Sequence, residues 1–392
     1  MTERIILHCD LNNFFASVSL LSNPTLYNLP VAVCGSSEER HGIVLAKNEA
    51  AKRFGVKTAE AVWEARAKCP ELVILPPDYA AYRRYSDATR EILRRYTDII
   101  EPFGIDESWL DVTGSTLLFG SGEEIAERIR REVKAELGLT VSIGVSFNKV
   151  FAKLGSDMKK PDAVTVISRE NFRDKVWRLP IENLLFVGKS TADRLHGCGV
   201  VTIGDLTLCE DSLLQRLLGK NGLQLKCYAL GEDMSPVTPP GSGDRPKSIG
   251  RSVTPPQDIT SAGQVWKLYL EISEDIAHQL RKYGLYAGGL QVHTRTTALE
   301  VKEYSRSLGV PVNTSMAIAK KGMELFNESY RWGMPLRSVG LRAISLRDSD
   351  SAVQQDFFGD CFSDEHDEQI ERSIEDLRER FGNGSIRRGR TL

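Results

Sequence analysis

Three carboxylates carry the chemical interest of this chain. Asp10 closes an apolar run that begins Ile5-Ile6-Leu7, and Asp106-Glu107 are adjacent acids between two β-prone segments. One use of such a set is to hold a hard divalent cation. Magnesium takes oxygen ligands, keeps several waters, and is commonly held by one or two carboxylates plus substrate phosphates. Two such ions about 3.5–4 Å apart stabilise both the attacking and the leaving oxygen of an in-line phosphoryl displacement. The bland alternative is a solvated hairpin turn, which for an Asp-Glu dipeptide alone is the commoner case. Neighbouring carboxylates repel unless cations are shared, so the metal reading requires a fold that brings Asp10 beside the pair.

The flanking pattern supplies one. Ile5-Ile6-Leu7 reads as a buried strand ending at Asp10. Tyr79, Tyr82, Tyr85, Ile92, Leu93 and Tyr96 recur at helical spacing between residues 78 and 100. Residues 99–103, the turn Gly104-Ile105 and residues 108–113 read as a hairpin. Ile125, Ile129, Val133 and Leu137 mark an amphipathic helix closed by Gly138, and residues 140–145 form a β-branched strand. The order β, long insertion, α, β, β, α, β is the split βαβ or ferredoxin-like plan, with four strands in one sheet and two helices on one face. If the first strand and the hairpin are neighbours in that sheet, the three acids converge.

Punctuation divides the remainder. Residues 11–77 are an insertion ending in Pro76-Pro77. Residues from about 169 to 231 are helical and short-looped, with glycine turns at Val187-Gly188-Lys189 and Gly219-Lys220-Asn221-Gly222. Residues 235–246 (SPVTPPGSGDRP) read as an interdomain linker. Residues 247–347 have strand, helix, strand, strand, helix, strand character, the helices falling over 261–283 and 315–330.

A chain of 392 residues exceeds the size at which one hydrophobic core keeps growing, so several domains are expected. Composition is that of a water-soluble protein, 41% hydrophobic and 27% charged. No apolar run approaches the roughly 20 residues of a membrane span, and the start MTERIILHCD has Glu3 beside Arg4 and an apolar run too short for a signal peptide. No membrane partner and a cytoplasmic location are expected. Seven scattered cysteines without a C-x-x-C pair argue against a zinc site or a disulfide framework. The net charge of −2 hides an asymmetry: residues 247–347 hold 14 Lys and Arg against 8 Asp and Glu, and residues 348–392 hold 6 against 12. A basic domain of this kind attracts phosphate backbones without reading sequence.

The segments around the acids narrow the reading. HCDLNNFFASV at 8–18, KNEAAKRFGV at 47–56, GIDESWLD at 104–111 and VSIGVSFNKVFAKLGSDMKKP at 141–161 resemble, in order, the motifs of the Y-family (DinB/UmuC-type) translesion DNA polymerases. The resemblance runs from about residue 4 to 347, and four ordered motifs are far more specific than any one. Trp109 in DESWLD leans toward the polymerase V-like branch rather than the polymerase IV-like one. The resemblance implies an α+β multidomain fold. A ferredoxin-like palm would span 1–10 and 78–166, and small fingers 11–77. A helical thumb with helix-hairpin-helix elements would span 167–233 and a linker 234–246. A four-stranded α/β little finger would span 247–347, followed by an acidic tail over 348–392.

Carried over by position, the family pattern makes Asp10, Asp106 and Glu107 the catalytic metal ligands, with the backbone carbonyl of Leu11. They would hold two Mg2+ ions, with Mn2+ able to substitute. Phe14, Phe15, Ile43, Leu45, Lys52 and Lys160 fall on the nucleotide-binding positions. Phe15 is the steric gate that excludes a 2′-hydroxyl by volume, and Phe14 is expected in the core beside it. Ile43 and Leu45 would roof the nascent base pair, and Lys160 would bind the triphosphate. Lys52 stands where many members have an arginine, and Glu49 where many have a phosphate-contacting tyrosine. Gly188, Lys189, Gly219, Lys220 and Gly222 would offer backbone N–H groups to DNA phosphates. Phe186 replaces the usual first glycine of the first turn. Lys247, Arg251, Arg295, Lys302, Arg331, Arg337 and Arg342 are candidate phosphate contacts. In the tail, Gln354-Gln355-Asp356-Phe357-Phe358 resembles a sliding-clamp peptide, paired aromatics entering an apolar pocket. Ile370, Ile374, Leu377 and Phe381 suggest a small amphipathic helix after it. The implied activity is low-fidelity, template-directed nucleotidyl transfer by a monomer, with primer-template DNA, dNTP and the clamp as partners. A catalytically silent DNA- or clamp-binding relative and a nucleotide cyclase on a similar palm are the rival readings. All three acids are present, against the first, and the thumb-like turns and basic domain are unnecessary for the second.

Overall fold

The structure is a computed structural model that describes residues 3–36, 42–239, 241, 245–348, 361–382 and 385–386. They fall into two compact units that part after residue 242.

The first unit contains strands β1 (Ile6–Leu11), β2 (Val31–Cys34), β3 (Val44–Lys47), β4 (Val73–Leu75), β5 (Ile100–Pro102), β6 (Glu107–Asp111), β7 (Val141–Ser146) and β8 (Val164–Ile167). Its larger sheet runs β5-β6-β1-β7-β8. β1 is antiparallel to both β6 and β7, as the ferredoxin-like plan requires. The expected four strands are present and a fifth, β8, lies parallel to β7. β8 is only four residues long, too short to declare itself by pattern. It exists because helix Lys149–Met158 carries the chain back across the sheet in a β-helix-β crossover.

All six residues of β1 are buried, because the sheet is covered on both faces. Leu7, Cys9 and Leu11 face a core built with Ile92 and Leu93 of helix Tyr79–Arg94 and with Ile125, Ile129 and Val133 of helix Gly122–Leu137. The latter helix starts at a Ser121/Glu124 capping box and stops at Gly138, whose φ of 67° suits glycine. On the other face Ile6 packs with Trp109, Ala152 and Val237. Helix Lys149–Met158 lies flush here. A Cβ on Gly144 would stand 1.9 Å from the Ala152 carbonyl oxygen, so only glycine permits the approach. Val237 belongs to the stretch expected as linker. That stretch is anchored at its start, since Glu101 accepts from the Thr238 amide at 2.7 Å.

The insertion forms a small sheet, β3-β2-β4, with its own core of Ala32, Val44, Ala51, Val56 and Leu72. Residues 172–230 are five helices of five to eleven residues and a short 3-10 turn around a separate core.

The second unit holds β9 (Ile249–Val253), β10 (Leu285–Thr296), β11 (Val301–Val312), β12 (Leu336–Ile344) and the two-residue β13 (Arg347–Asp348). The sheet order is β11-β10-β12-β9. Helices Ala262–Lys282 and Ser315–Ser329 match the expected stretches, and a Ser261/Gln264 capping box starts the first. Helix Cys361–Phe381 also exists, but its contacts are not those an apolar stripe would make. Ile370, Leu377 and Phe381 are exposed, and charged groups tie the helix to its neighbours. Glu371 accepts from the Arg281 guanidinium at 2.6 Å and from the Ser315 amide at 2.9 Å, and Arg378 pairs with Glu274 at 3.0 Å. Gln354, Asp356, Phe357 and Phe358 lie outside the described residues.

Candidate active site

Strand register brings the acids together. Asp10 on β1 stands directly opposite Glu107 on β6, so both side chains leave the same face of the sheet. Alternation along β1 puts His8 and Asp10 on the side of helix Lys149–Met158, opposite Leu7, Cys9 and Leu11. The Leu11 amide donates to the Asp106 carbonyl at 3.0 Å, which holds the Leu11 backbone beside the hairpin turn. Yet among the described residues no three His, Cys, Asp or Glu side chains close on a common point as metal ligands would. Lysines stand between them. Lys153 Nζ is 3.0 Å from Glu107 Oε2 and 3.3 Å from Asp10 Oδ2. Lys160 Nζ donates to Asp10 Oδ2 at 2.8 Å. Asp157 pairs with both lysines, at 3.2 and 2.9 Å.

Burial raises two of the acids and is outweighed at the third. It pushes the Asp10 carboxyl up to about 6, against the pull of Lys160 and Lys153. It also raises Asp106, with help from the adjacent Glu107 charge. For Glu107 burial works upward too, but a contact with His8 and the Lys153 charge outweigh it and bring the group down to about 2. His8 is fully buried, with Nε2 3.2 Å from Glu107 Oε2 and Nδ1 2.9 Å from Ser156 Oγ; burial lowers its basicity. Buried and half-buried carboxylates facing one cationic spot are a donor set that suits a hard oxygen-seeking divalent ion.

The chain after Lys160 is held in place from below. Asn12, buried at the end of β1, donates to Ser142 Oγ and accepts from the Asp162 amide, both at 2.9 Å. Asp162 in turn binds Arg130 and Lys134 at 2.7 Å each. Asn13, with a left-handed φ of 50°, opens helix Phe14–Leu21 and donates to Glu49 Oε1 at 3.0 Å. The Glu49 carboxylate thus has two partners. It is shared between Asn13 and Lys52, the latter at 3.5 Å. Phe15 stacks on Tyr82 with centroids 4.1 Å apart and planes within 9°. Phe14 is a core residue, 3% exposed, so its ring has no surface to offer a nucleotide. Ile43 is exposed and Leu45 half-buried on the small sheet.

The candidate DNA contacts differ in exposure and pairing. Gly188 opens helix Lys189–His196 and Gly219 opens helix Lys220–Leu230, with open space where a Cβ would stand on either glycine. Lys189 and Lys220 are exposed. Gly222 is buried instead, 2.5 Å from the Leu214 carbonyl oxygen at its would-be Cβ, and its evident role is close helix packing. In the second unit Arg295 and Arg342 alternate with core residues Val292, Leu341 and Ala343, so they project from the face away from the helices. Arg251 does not join them; it pairs with Asp275 on helix Ala262–Lys282. Lys247 and Arg331 are exposed, Arg331 donating to the Asn327 carbonyl at 3.2 Å, and Arg337 is half-buried beside a β-bulge.

Sequence reasoning missed Lys153, Asp157, His8 and Asn12. A signal existed for two of them: Lys153, Asp157 and Lys160 are spaced four and three apart, the intervals that align side chains on one helical face.

The arrangement is that of a known class. A solved Y-family DNA polymerase chimera superposes with a TM-score of 0.77, covering 88% of this chain and 99% of its own, at 24% identity. The sequence models of the impB/mucB/samB family match residues 9–157, and those of its C-terminal domain match 246–357. A DNA polymerase IV of Acetivibrio thermocellus is 48% identical over 99% of this chain and 97% of its own length. DNA polymerase IV 1 of Bacillus subtilis is 36% identical over 100% and 94%. The chain belongs to the impB/mucB/samB family, the Y-family polymerases. Both relatives carry the name polymerase IV, against the lean taken from Trp109. That residue is a packing choice: it is buried, donates from Nε1 to the Lys149 carbonyl at 3.0 Å, and meets Phe103 and His8 edge or tilted.

Proposed function

We infer that this protein is a DNA-directed DNA polymerase of low fidelity, adding deoxyribonucleotides to a primer 3′ end in translesion synthesis during DNA repair or damage tolerance. The observation that carries the reading is the β1–β6 register that sets Asp10 opposite Glu107, in a chain that matches polymerase IV relatives over almost its whole length. Two Mg2+ ions are the proposed cofactor, held by Asp10, Asp106, Glu107 and the Leu11 carbonyl. When bound they supply an acidified primer hydroxyl and charge neutralisation at the triphosphate. Lys160 is proposed to trade Asp10 for a triphosphate, a reading supported by its ion pair with Asp10 and by the Asn12–Asp162 contact that holds the chain beside it. Phe15, braced on Tyr82, is proposed as the sugar gate. Gly188, Lys189, Gly219, Lys220, Lys247, Arg295, Arg331, Arg337 and Arg342 are proposed to meet the DNA backbone. The proposal extends to a monomer in the cytoplasm and to a clamp contact through residues 354–358.

Primer extension with magnesium on undamaged and lesion-bearing templates tests this. We expect extension on both, and Asp106→Ala should abolish it, about 10²–10³-fold or more, while primer-template binding persists. No extension by the intact protein with any metal would leave the DNA-binding relative without activity as the better reading. Phe15→Ala should admit ribonucleotides; sugar discrimination equal to that of the parent enzyme would remove the gate.

A further inference from the structure

The carboxylates assigned above already have a cation. Lys153 rises from helix Lys149–Met158, which Gly144 allows to lie flush against the sheet. Its side chain is 13% exposed, and its ammonium group reaches the facing oxygens of both Asp10 and Glu107. These are the two acids that strand register places side by side. A divalent ion held by these acids would need the same oxygens, and two cations could not share them without strong repulsion. The lysine also has somewhere to go. Asp157, one turn further along the same helix and about half exposed, is 3.2 Å from Lys153 and also pairs with Lys160. Lys160 shares this geometry: it holds Asp10, and it is the residue proposed above to bind a triphosphate.

We propose that Lys153 is an intramolecular stand-in for the divalent cation, occupying the Asp10–Glu107 pair in the free enzyme and retreating to Asp157 when the ion arrives. This rests on the metal-ligand reading of Asp10 and Glu107. The consequence is an order of loading. A nucleotide would draw Lys160 from Asp10 first and loosen the site, and an ion held by these acids would follow. An enzyme built this way keeps its buried carboxylates neutralised between turnovers and binds ions weakly when no nucleotide is present.

The test is a titration of the full-length protein with Mn2+, without DNA or nucleotide, reading free aquo-Mn2+ by electron paramagnetic resonance. Lys153→Gln and Lys153→Met should bind Mn2+ about tenfold or more tighter than the parent, and Lys153→Arg should stay as weak as the parent. Thermal melting identifies any variant that fails to fold, and having two neutral variants keeps the test open if one does. Asp10→Asn in the Lys153→Gln background should abolish the gain. Equal Mn2+ affinity in the parent and both neutral variants, with Asp10→Asn still weakening it, would overturn the stand-in and leave the metal site intact. Indifference of Mn2+ binding to Asp10→Asn in every background would overturn the ligand reading itself.

Discussion

The two large sheets of this chain are built from the same succession of elements, strand, helix, two strands, helix, strand, yet they seat their first strands differently. In the first sheet β1 lies inside, between β6 and β7. In the second, β9 is at the edge, paired only with β12. An internal first strand is walled by two neighbours and by helices on both faces. A polar residue at its end is then buried among groups from other parts of the chain, as Asp10 is with Glu107, Lys153 and Lys160. An edge strand offers no such enclosure. The arginines of the second sheet are spread along β10 and β12 on one open face, and Arg251 of the edge strand is claimed by Asp275. Concentrated charge needs enclosure to be strong, whereas contacts with a phosphate backbone are additive and work in the open.

That contrast can be broken at the glycine that makes the enclosure possible. Gly144→Ala would drive a Cβ into the Ala152 carbonyl and within 2.6 Å of the Ser156 nitrogen, forcing off the helix that carries Lys153 and Asp157. We expect a loss of about 3 kcal/mol in thermal or urea unfolding, the upper end for overpacking, together with most of the activity. Gly309→Ala in β11, where a Cβ would meet nothing, should stay within about 0.5 kcal/mol. Similar losses at both sites would mean that the first sheet is no more tightly enclosed than the second.

Removing the open-face charges should act differently. Arg295→Ala with Arg342→Ala should weaken DNA binding across all sequences and lower the salt slope by about 2, one per phosphate contact. Turnover at saturating DNA should be unchanged. An unaltered slope in a filter-binding or anisotropy titration would show that these arginines do not face DNA.

The smallest effect belongs to the C-terminal helix. Arg281→Met would leave Glu371 buried without its guanidinium, and the helix should lose amide protection in hydrogen exchange while the sheet keeps its own. Arg281 and, after it, His278 hold the Glu375 carboxyl below its usual range against the upward push of burial. A depressed carboxylate contributes stability that is complete above its unfolded value, about 4.3, and is lost as pH falls through the lower folded value. Docking should therefore be intact at neutral pH and released only below about pH 4. Release near pH 6 would point to other groups.

How much could be read in advance follows the same division. Local pattern was sufficient where a signal repeats: the Ile125-Ile129-Val133 face closed by Gly138, the helical stretch over 261–283, and the strand ending near Asp10. The family motifs then supplied the identity of the three acids, because ordered text over hundreds of residues is specific in a way that an Asp-Glu pair is not. What the linear chain could not express was which strands are neighbours. Two regions with one element order fold into different strand orders, since the choice depends on which faces can be covered and on long-range packing. Only that choice sets Asp10 opposite Glu107, admits a short β8, and lays Lys153 over the pair. The residue types at the site were written in the sequence. The tertiary structure decided that a lysine, rather than open solvent, faces two of its acids, because only packing can force an ammonium group and two carboxylates into the same half-buried space.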